Sequence, residues 1–144
     1  MKISTKGRYA LRLMIDIAQN SNGEPVRIKD IAKRQQISDK YLEQIIPGLT
    51  RAGLLVGIRG PQGGYRLSKK QEEYTVSLIL EHSEGKLAVV SCLEDEVNQC
   101  RHYNECVTIY VWKKITEAIL DVTDHITLAD LLEMSKGINE GYCI

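Results

Sequence analysis

Cys92, Cys100 and Cys106 are the residues whose type and spacing could do chemistry in this chain. Seven residues separate the first pair and five the second, and the intervening stretches, LEDEVNQ and RHYNE, are polar and charged. Such surroundings suit buried structural thiols poorly, whereas three thiolates on one loop are soft ligands for an iron–sulfur cluster or zinc. In a cytosolic protein, clustered cysteines point to metal or redox chemistry more than to disulfides. Spacing alone leaves three readings open: a cluster, zinc or thiol redox chemistry, and thiols that hold nothing. The chain has no Cys-x-x-Cys pair, no nucleotide-binding glycine motif and no nucleophile beside a base, so an enzyme is not expected. His82 and His125 read as surface or helix-end residues.

A second set of residues is suited to nucleic acid. Ser38, Asp39, Lys40, Tyr41, Glu43 and Gln44 open a helix whose Leu42, Ile45 and Ile46 fall on the opposite, apolar face. Gln44 can offer an amide to a base edge, and Glu43 can accept from cytosine. Lys2, Lys6, Arg8, Arg27, Lys29 and Lys40 are candidates for phosphates, which supply affinity and salt dependence but no sequence information. Arg59 begins a Gly-rich hairpin tip and can enter a narrow minor groove, with Gln62 and Tyr65 beside it.

The elements that position these groups follow from periodicity and capping. Ala10, Leu11, Met14, Ile17 and Ala18 mark a first helix capped by Ser4 or Thr5. A short helix over 26–34 packs Ile28, Ile31 and Ala32, Gln35 and Gln36 make a turn, and Ser38 caps the next helix. Pro47 and Gly48 predict a kink or early stop in that helix. Residues 54–58 and 65–67 are strands around Gly60-Pro61-Gln62-Gly63-Gly64. Thr75 caps a helix ended by Gly85. A long helix over 107–126 carries Val111, Ile115, Ala118, Ile119, Val122 and Ile126 on one stripe, and Thr127 caps a last short helix. Two short helices, a tight turn and a basic hairpin together describe a winged helix-turn-helix, a mainly α fold with a small β wing. The predicted division is a DNA-binding domain over 1–85, a cysteine-bearing loop over 86–106, a dimerisation helix and short helix over 107–134, and a tail over 135–144.

Composition agrees. Apolar residues make up 43% of 144 positions, enough for a core, although Phe is absent and Trp112 stands alone. No apolar run approaches the roughly 20 residues that span a bilayer, and the charged start MKISTKGRYALRLMIDIAQ lacks a secretory pattern, so a cytoplasmic protein is expected. Net charge is zero, but residues 1–70 carry +9 and residues 71–144 carry −9. One half is suited to a polyanion and the other is not.

The segments MKISTKGRYALRLMIDIA, ISDKYLEQIIPGLTRAGLL and IRGPQGGYRLS resemble the IscR/NsrR/CymR family of bacterial winged-helix regulators over nearly the whole chain. The resemblance implies a sequence-specific transcription regulator, homodimeric on a partly palindromic double-stranded operator, with the helix over 107–126 crossing to the partner. Pro47-Gly48 departs from the helix-forming pair common there. In the cluster-binding branch three cysteines in this segment hold iron, which carries over to Cys92, Cys100 and Cys106, with a 2Fe–2S cluster favoured over 4Fe–4S. The fourth ligand does not carry over: the branch with a histidine three residues after the last cysteine meets Ile109, and the branch with an acidic ligand near the chain start meets Arg8. His102, Asn104, Glu105 or an exogenous ligand remain, and His102 is preferred. The tail EGYCI resembles that of the cysteine-metabolism repressor of the family, which implies docking of Tyr142 and Ile144 on cysteine synthase, with Cys143 a bystander.

Overall fold

Helix α1 (Thr5–Asn20) starts where the Ser4 hydroxyl accepts from the Gly7 backbone N–H at 3.2 Å. The computed structural model describes residues 2–138, and α1 is the strut around which its core is built. Ala10, Leu13, Met14 and Ile17 recur at three- and four-residue steps and are buried against the helices that follow. Helix α2 (Ile28–Gln35) and helix α3 (Asp39–Arg51) are joined by a turn in which Gln36 takes the left-handed conformation at φ 54°. Ser38 caps α3 by accepting from the Tyr41 N–H at 3.2 Å. Leu42, Ile45, Ile46 and Leu49 seat α3 in the core.

Strands β1 (Leu55–Ile58) and β2 (Gly64–Leu67) pair antiparallel, with Leu55 opposite Leu67 and Gly57 opposite Tyr65. Helix α4 (Val76–Glu84) begins at a Thr75 cap. Helix α5 (Ile109–His125) is the longest, and helix α6 (Leu128–Lys136) begins in a capping box made by Thr127 and Asp130. Grouped with α5 along the chain, α6 packs back on α1 and buries Leu128 in the N-terminal core. Among the described residues Leu128 is the one buried apolar residue beyond Leu80.

Two expectations are corrected. The second helix does not begin at Val26, because Val26 exchanges two backbone hydrogen bonds with Tyr65, both 2.8 Å, and is extended. Its partner lies in the wing, far along the chain, so local pattern cannot reveal it. Pro47 does not stop α3, which runs on to Arg51. Proline forfeits a single backbone bond there, and the burial of Ile45, Ile46 and Leu49 on one face outweighs it. The Thr50 hydroxyl donates to the Ile46 carbonyl at 2.9 Å, and the Ala52 N–H closes the end on the Gly48 carbonyl.

One buried carboxylate joins α1 to α2. Asp16 is 1% exposed and accepts from Arg34 Nε at 3.0 Å, Arg34 Nη2 at 2.7 Å and Gln35 Nε2 at 2.9 Å. Arg12 adds donors to the Gln35 side-chain oxygen, at 3.1 Å, and to the Gln35 carbonyl. Charge-assisted bonds of this kind contribute more than neutral ones. Replacing Asp16 with Ala is expected to destabilise the fold by about 2 kcal/mol, read as a lower urea midpoint at unchanged slope.

Candidate nucleic-acid interface and cysteine segment

The capped start of α3 presents Ser38, Lys40, Glu43 and Gln44 to solvent while its apolar face is buried. Tyr41 is half-buried: its ring meets Tyr9 of α1 edge-on at 5.4 Å and 84°, and the Arg12 guanidinium lies 5.3 Å over Tyr9. Tyr41 therefore braces α3 on α1.

The wing is fastened to the same unit. Val26 pairs with Tyr65 in an isolated antiparallel bridge, and Arg27 Nη2 donates to the Pro61 carbonyl at the wing tip at 2.5 Å. Arg27, expected to meet phosphate, is thus held at the wing. Gly64 has φ +149°, and a Cβ there would stand 2.4 Å from the Val26 carbonyl oxygen. Tyr65 lies across Gly57, where a Cβ would be 3.2 Å from its ring. Arg59 and Gln62 are exposed at the tip. A cleft of about 400 Å³ opens between the starts of α2 and α3 and the wing tip, lined by Arg27, Lys29, Asp39, Glu43, Pro61 and Tyr65. Asp39 and Glu43 of α3 and the wing tip therefore open onto one concave face. Lys2, Lys6 and Arg8 are exposed at the start of α1.

Beyond Gly85 the chain is irregular to Thr108, apart from two short 3-10 turns at Ser91–Leu93 and Tyr103–Glu105. Cys92 is half-buried in the first turn, Cys100 is exposed, and Cys106 is half-buried just before α5; all three are free thiols. Asn98 is a residue that sequence reasoning missed. Its amide donates to the Cys92 carbonyl and its Oδ1 accepts from the Cys100 N–H at 2.8 Å, so it closes the loop between the two cysteines. An Asn two residues before Cys100 was the available signal, since such side chains bond the backbone two residues on. The Thr108 hydroxyl lies 3.3 Å from Cys106 Sγ, and it, with the Ile109 and Thr108 backbone, holds that thiol below the usual thiol range.

Among the described residues no three Cys, His, Asp or Glu side chains stand together as a set that could hold a metal ion. His102, Asn104 and Glu105 are exposed on and beside the second turn, and Ile109 is in the first turn of α5. Tyr142, Cys143 and Ile144 lie outside the described residues.

A family model described as "Rrf2: Iron-dependent Transcriptional regulator" matches residues 3–134. The chain belongs to the Rrf2 family. It is 39% identical over 132 residues to an HTH-type transcriptional regulator of Haemophilus influenzae, covering 92% of this chain and 87% of that one. It is also 39% identical over 142 residues to CymR of Bacillus subtilis, covering 99% of this chain and 97% of CymR. The solved structure of B. subtilis CymR, titled the global cysteine regulator of that organism, superposes with a TM-score of 0.77 at 37% identity, covering 93% and 98% of the two chains. The structure of T. potens IscR gives the same TM-score, 0.77, and the same identity, 37%, covering 99% and 93%. This Rrf2 chain is accordingly a winged helix-turn-helix regulator of transcription that binds DNA, and not an enzyme. The expected fold class is borne out by both superpositions. No helix among the described residues is long and apolar enough to cross a membrane.

The wing attachment is directly testable. Gly64→Ala adds a Cβ against the Val26 backbone at a φ that L-residues rarely adopt, so it is expected to cost about 1–3 kcal/mol. Amide exchange at Tyr65 should quicken together with a fall in melting temperature.

Proposed function

We propose that this chain is a homodimeric repressor that reads its operator with α3 and the wing and senses an iron–sulfur cluster held by Cys92, Cys100 and Cys106. The observation that carries the sensing part is the placement of three free thiols on one irregular segment linking the DNA-binding head to α5. The donor chemistry fits the group: soft sulfur ligands, none in a disulfide, with Cys106 already drawn toward the thiolate by Thr108. His102 is the fourth ligand we favour, and 2Fe–2S the cluster type. When bound, the cluster would supply a group whose occupancy responds to iron supply and oxidation, held by the thiolates of Cys92, Cys100 and Cys106. Asn98 sets the spacing of Cys92 and Cys100, and the bond from the Val89 N–H to the Thr116 hydroxyl, 3.4 Å, ties the segment to α5.

The dimer reading rests on α5. In a 17-residue helix no residue is buried, and Val111, Ile115 and Val122 of its apolar stripe are 46, 40 and 58% exposed. A second copy of α5 would cover that stripe. Residues 1–85 then bind DNA, 86–106 carry the sensor, 107–134 hold the dimerisation helix α5 and the short helix α6 that returns to α1, and 135–144 form a tail, all in the cytoplasm. Ser38, Lys40, Glu43, Gln44, Arg59 and Gln62 face the operator, and Lys2, Lys6, Arg8 and Lys29 its phosphates.

A second reading is supported by the match to nearly the full length of CymR. The chain would then be a cysteine-metabolism repressor acting with cysteine synthase, docked through Tyr142 and Ile144.

Duplex affinity is expected to fall steeply with salt, each phosphate contact adding about −0.9 to the slope of log K against log salt. Fluorescence anisotropy over a salt series checks this, and a flat profile would leave only an adaptor role. Protein purified without oxygen is expected to show visible charge-transfer bands with stoichiometric iron and sulfide, lost in Cys92→Ala. A colourless protein that cannot be reconstituted would remove the cluster and leave the tail reading, in which deleting Ile144 abolishes synthase binding.

A further inference from the structure

Glu84 is the last residue of α4, and Gly85 follows it at φ +94°, opening the cysteine segment. A carboxylate at a helix C-terminus works against the helix dipole. Here it is directed instead at the N-terminus of α1, where a carboxylate is favoured. Glu84 Oε1 accepts from the Ser4 backbone N–H at 2.7 Å. Gly7, which is buried, leaves the room for this: a Cβ on Gly7 would stand 2.0 Å from Glu84 Oε1 and 2.7 Å from its carboxyl carbon. The hydroxyl of Ser4 caps the Gly7 N–H, so Glu84 and Ser4 together satisfy two of the donors that begin α1. Lys2, Lys6 and Arg8 stand on and beside that turn.

We propose that Glu84 is a positioning residue for DNA binding: seated over Gly7 and bonded to the Ser4 N–H, it holds the basic first turn of α1 on the end of α4. The first turn of α1 is thereby registered to the residue at which the cysteine segment leaves the DNA-binding head. This rests on the reading that Lys2, Lys6 and Arg8 meet phosphates.

The sign of the effect separates positioning from charge. A carboxylate that did no more than repel DNA would, once removed, leave binding tighter. A carboxylate that holds the basic turn would, once removed, leave it weaker. Binding of the full-length chain to a short random-sequence duplex is measured over a salt series. Glu84→Ala is expected to weaken binding several-fold and make the salt slope shallower by about one phosphate contact, ~0.9. Glu84→Gln keeps an acceptor for the Ser4 N–H and should stay near the unsubstituted protein. Gly7→Ala keeps every charge, favours helix locally and displaces the carboxylate, so it should reproduce Glu84→Ala. The double variant should be no weaker than either single one.

Amide exchange at Ser4 should quicken in both single variants, a readout that does not depend on DNA. Should Glu84→Ala fail to fold, Gly7→Ala carries the same comparison. Unchanged or tighter binding in Glu84→Ala or Gly7→Ala, additive losses in the double variant, or a Ser4 amide still protected in Glu84→Ala would each overturn the proposal. Lys6→Ala is the control on the underlying reading. If it weakens binding while Gly7→Ala does not, the Glu84 proposal alone fails. If Lys6→Ala leaves affinity and slope unchanged, the reading of α1 as a phosphate contact fails, and the role of Glu84 in DNA binding falls with it.

Discussion

Asp16 receives three side-chain donors from the end of α2 while itself 1% exposed, and what the head presents to DNA is registered against that contact. A carboxylate that has lost its water must be matched by donors in fixed directions, and Arg34 with Gln35 supplies them. The match fixes where α2 ends, so Gln36 must turn there, and it fixes where Ser38 starts α3. Arg12 repeats the grip one turn earlier on α1, bonding the Gln35 carbonyl and side chain and lying over Tyr9, whose ring stops Tyr41. The apolar contacts of Leu13, Met14, Ile17 and Ile31 supply most of the burial but would tolerate small slides. The directional bonds do not tolerate them, and a recognition helix needs that restriction to keep its side chains in register with base edges.

Tyr74 does for the wing what Asp16 does for the helices. Its buried phenol donates to the Leu54 carbonyl at 2.8 Å and accepts from the Ser68 and Lys69 N–H groups, each at 3.0 Å, so the two ends of the hairpin are joined at its base. Its backbone carbonyl accepts from the Leu128 N–H at 2.8 Å, and the neighbouring Val76 N–H donates to the Ile126 carbonyl at 2.9 Å. One residue thus connects the base of the wing to the corner between α5 and α6. The bonded route from the end of α5 to the wing is therefore a short backbone bridge.

Much of this was legible because it is local. Ser38, Thr75 and Thr127 cap helices within their own next three residues, and the wing strands lie one residue from where alternation and glycine placed them. Val26 was misread because a lone β-branched residue beside a helix has no period of its own, and its strand partner Tyr65 is set by folding. The early stop offered as one outcome at Pro47 does not occur, because the backbone cost of proline is visible in sequence while the burial that outweighs it is not. Asp16 carried a signal, a charge set among Leu13, Met14 and Ile17 on the buried face of α1, and such a residue demands a partner. Which of the many basic residues answers is a tertiary fact. The same holds for Glu84 and Ser4, 80 residues apart. In the cysteine segment the ligand types were legible and their gathering was not, since their convergence depends on a group that brings its own bonds.

The division of charge acquires a geometry once α5 is seen with its apolar stripe bare. At 100° per residue, Glu117 and Asp124 fall on the side roughly opposite Val111, Ile115 and Val122, Asp121 falls on the flank between, and all six are exposed. Two copies joined through the stripe, as proposed, would keep Glu117 and Asp124 away from the seam, so that the dimer would not have to overcome their repulsion at close range. The dipolar protomer would become, in the proposed dimer, a particle with two basic heads and an acidic body. Near a duplex such a particle is drawn in by its heads and pushed back by its body, over distances of about 8–10 Å at ordinary salt. On the proposed dimer, approach would be steered toward the orientation in which both basic heads face the duplex. Net charge near zero is then no obstacle to binding a polyanion, because the separation of charge, not its total, does the steering.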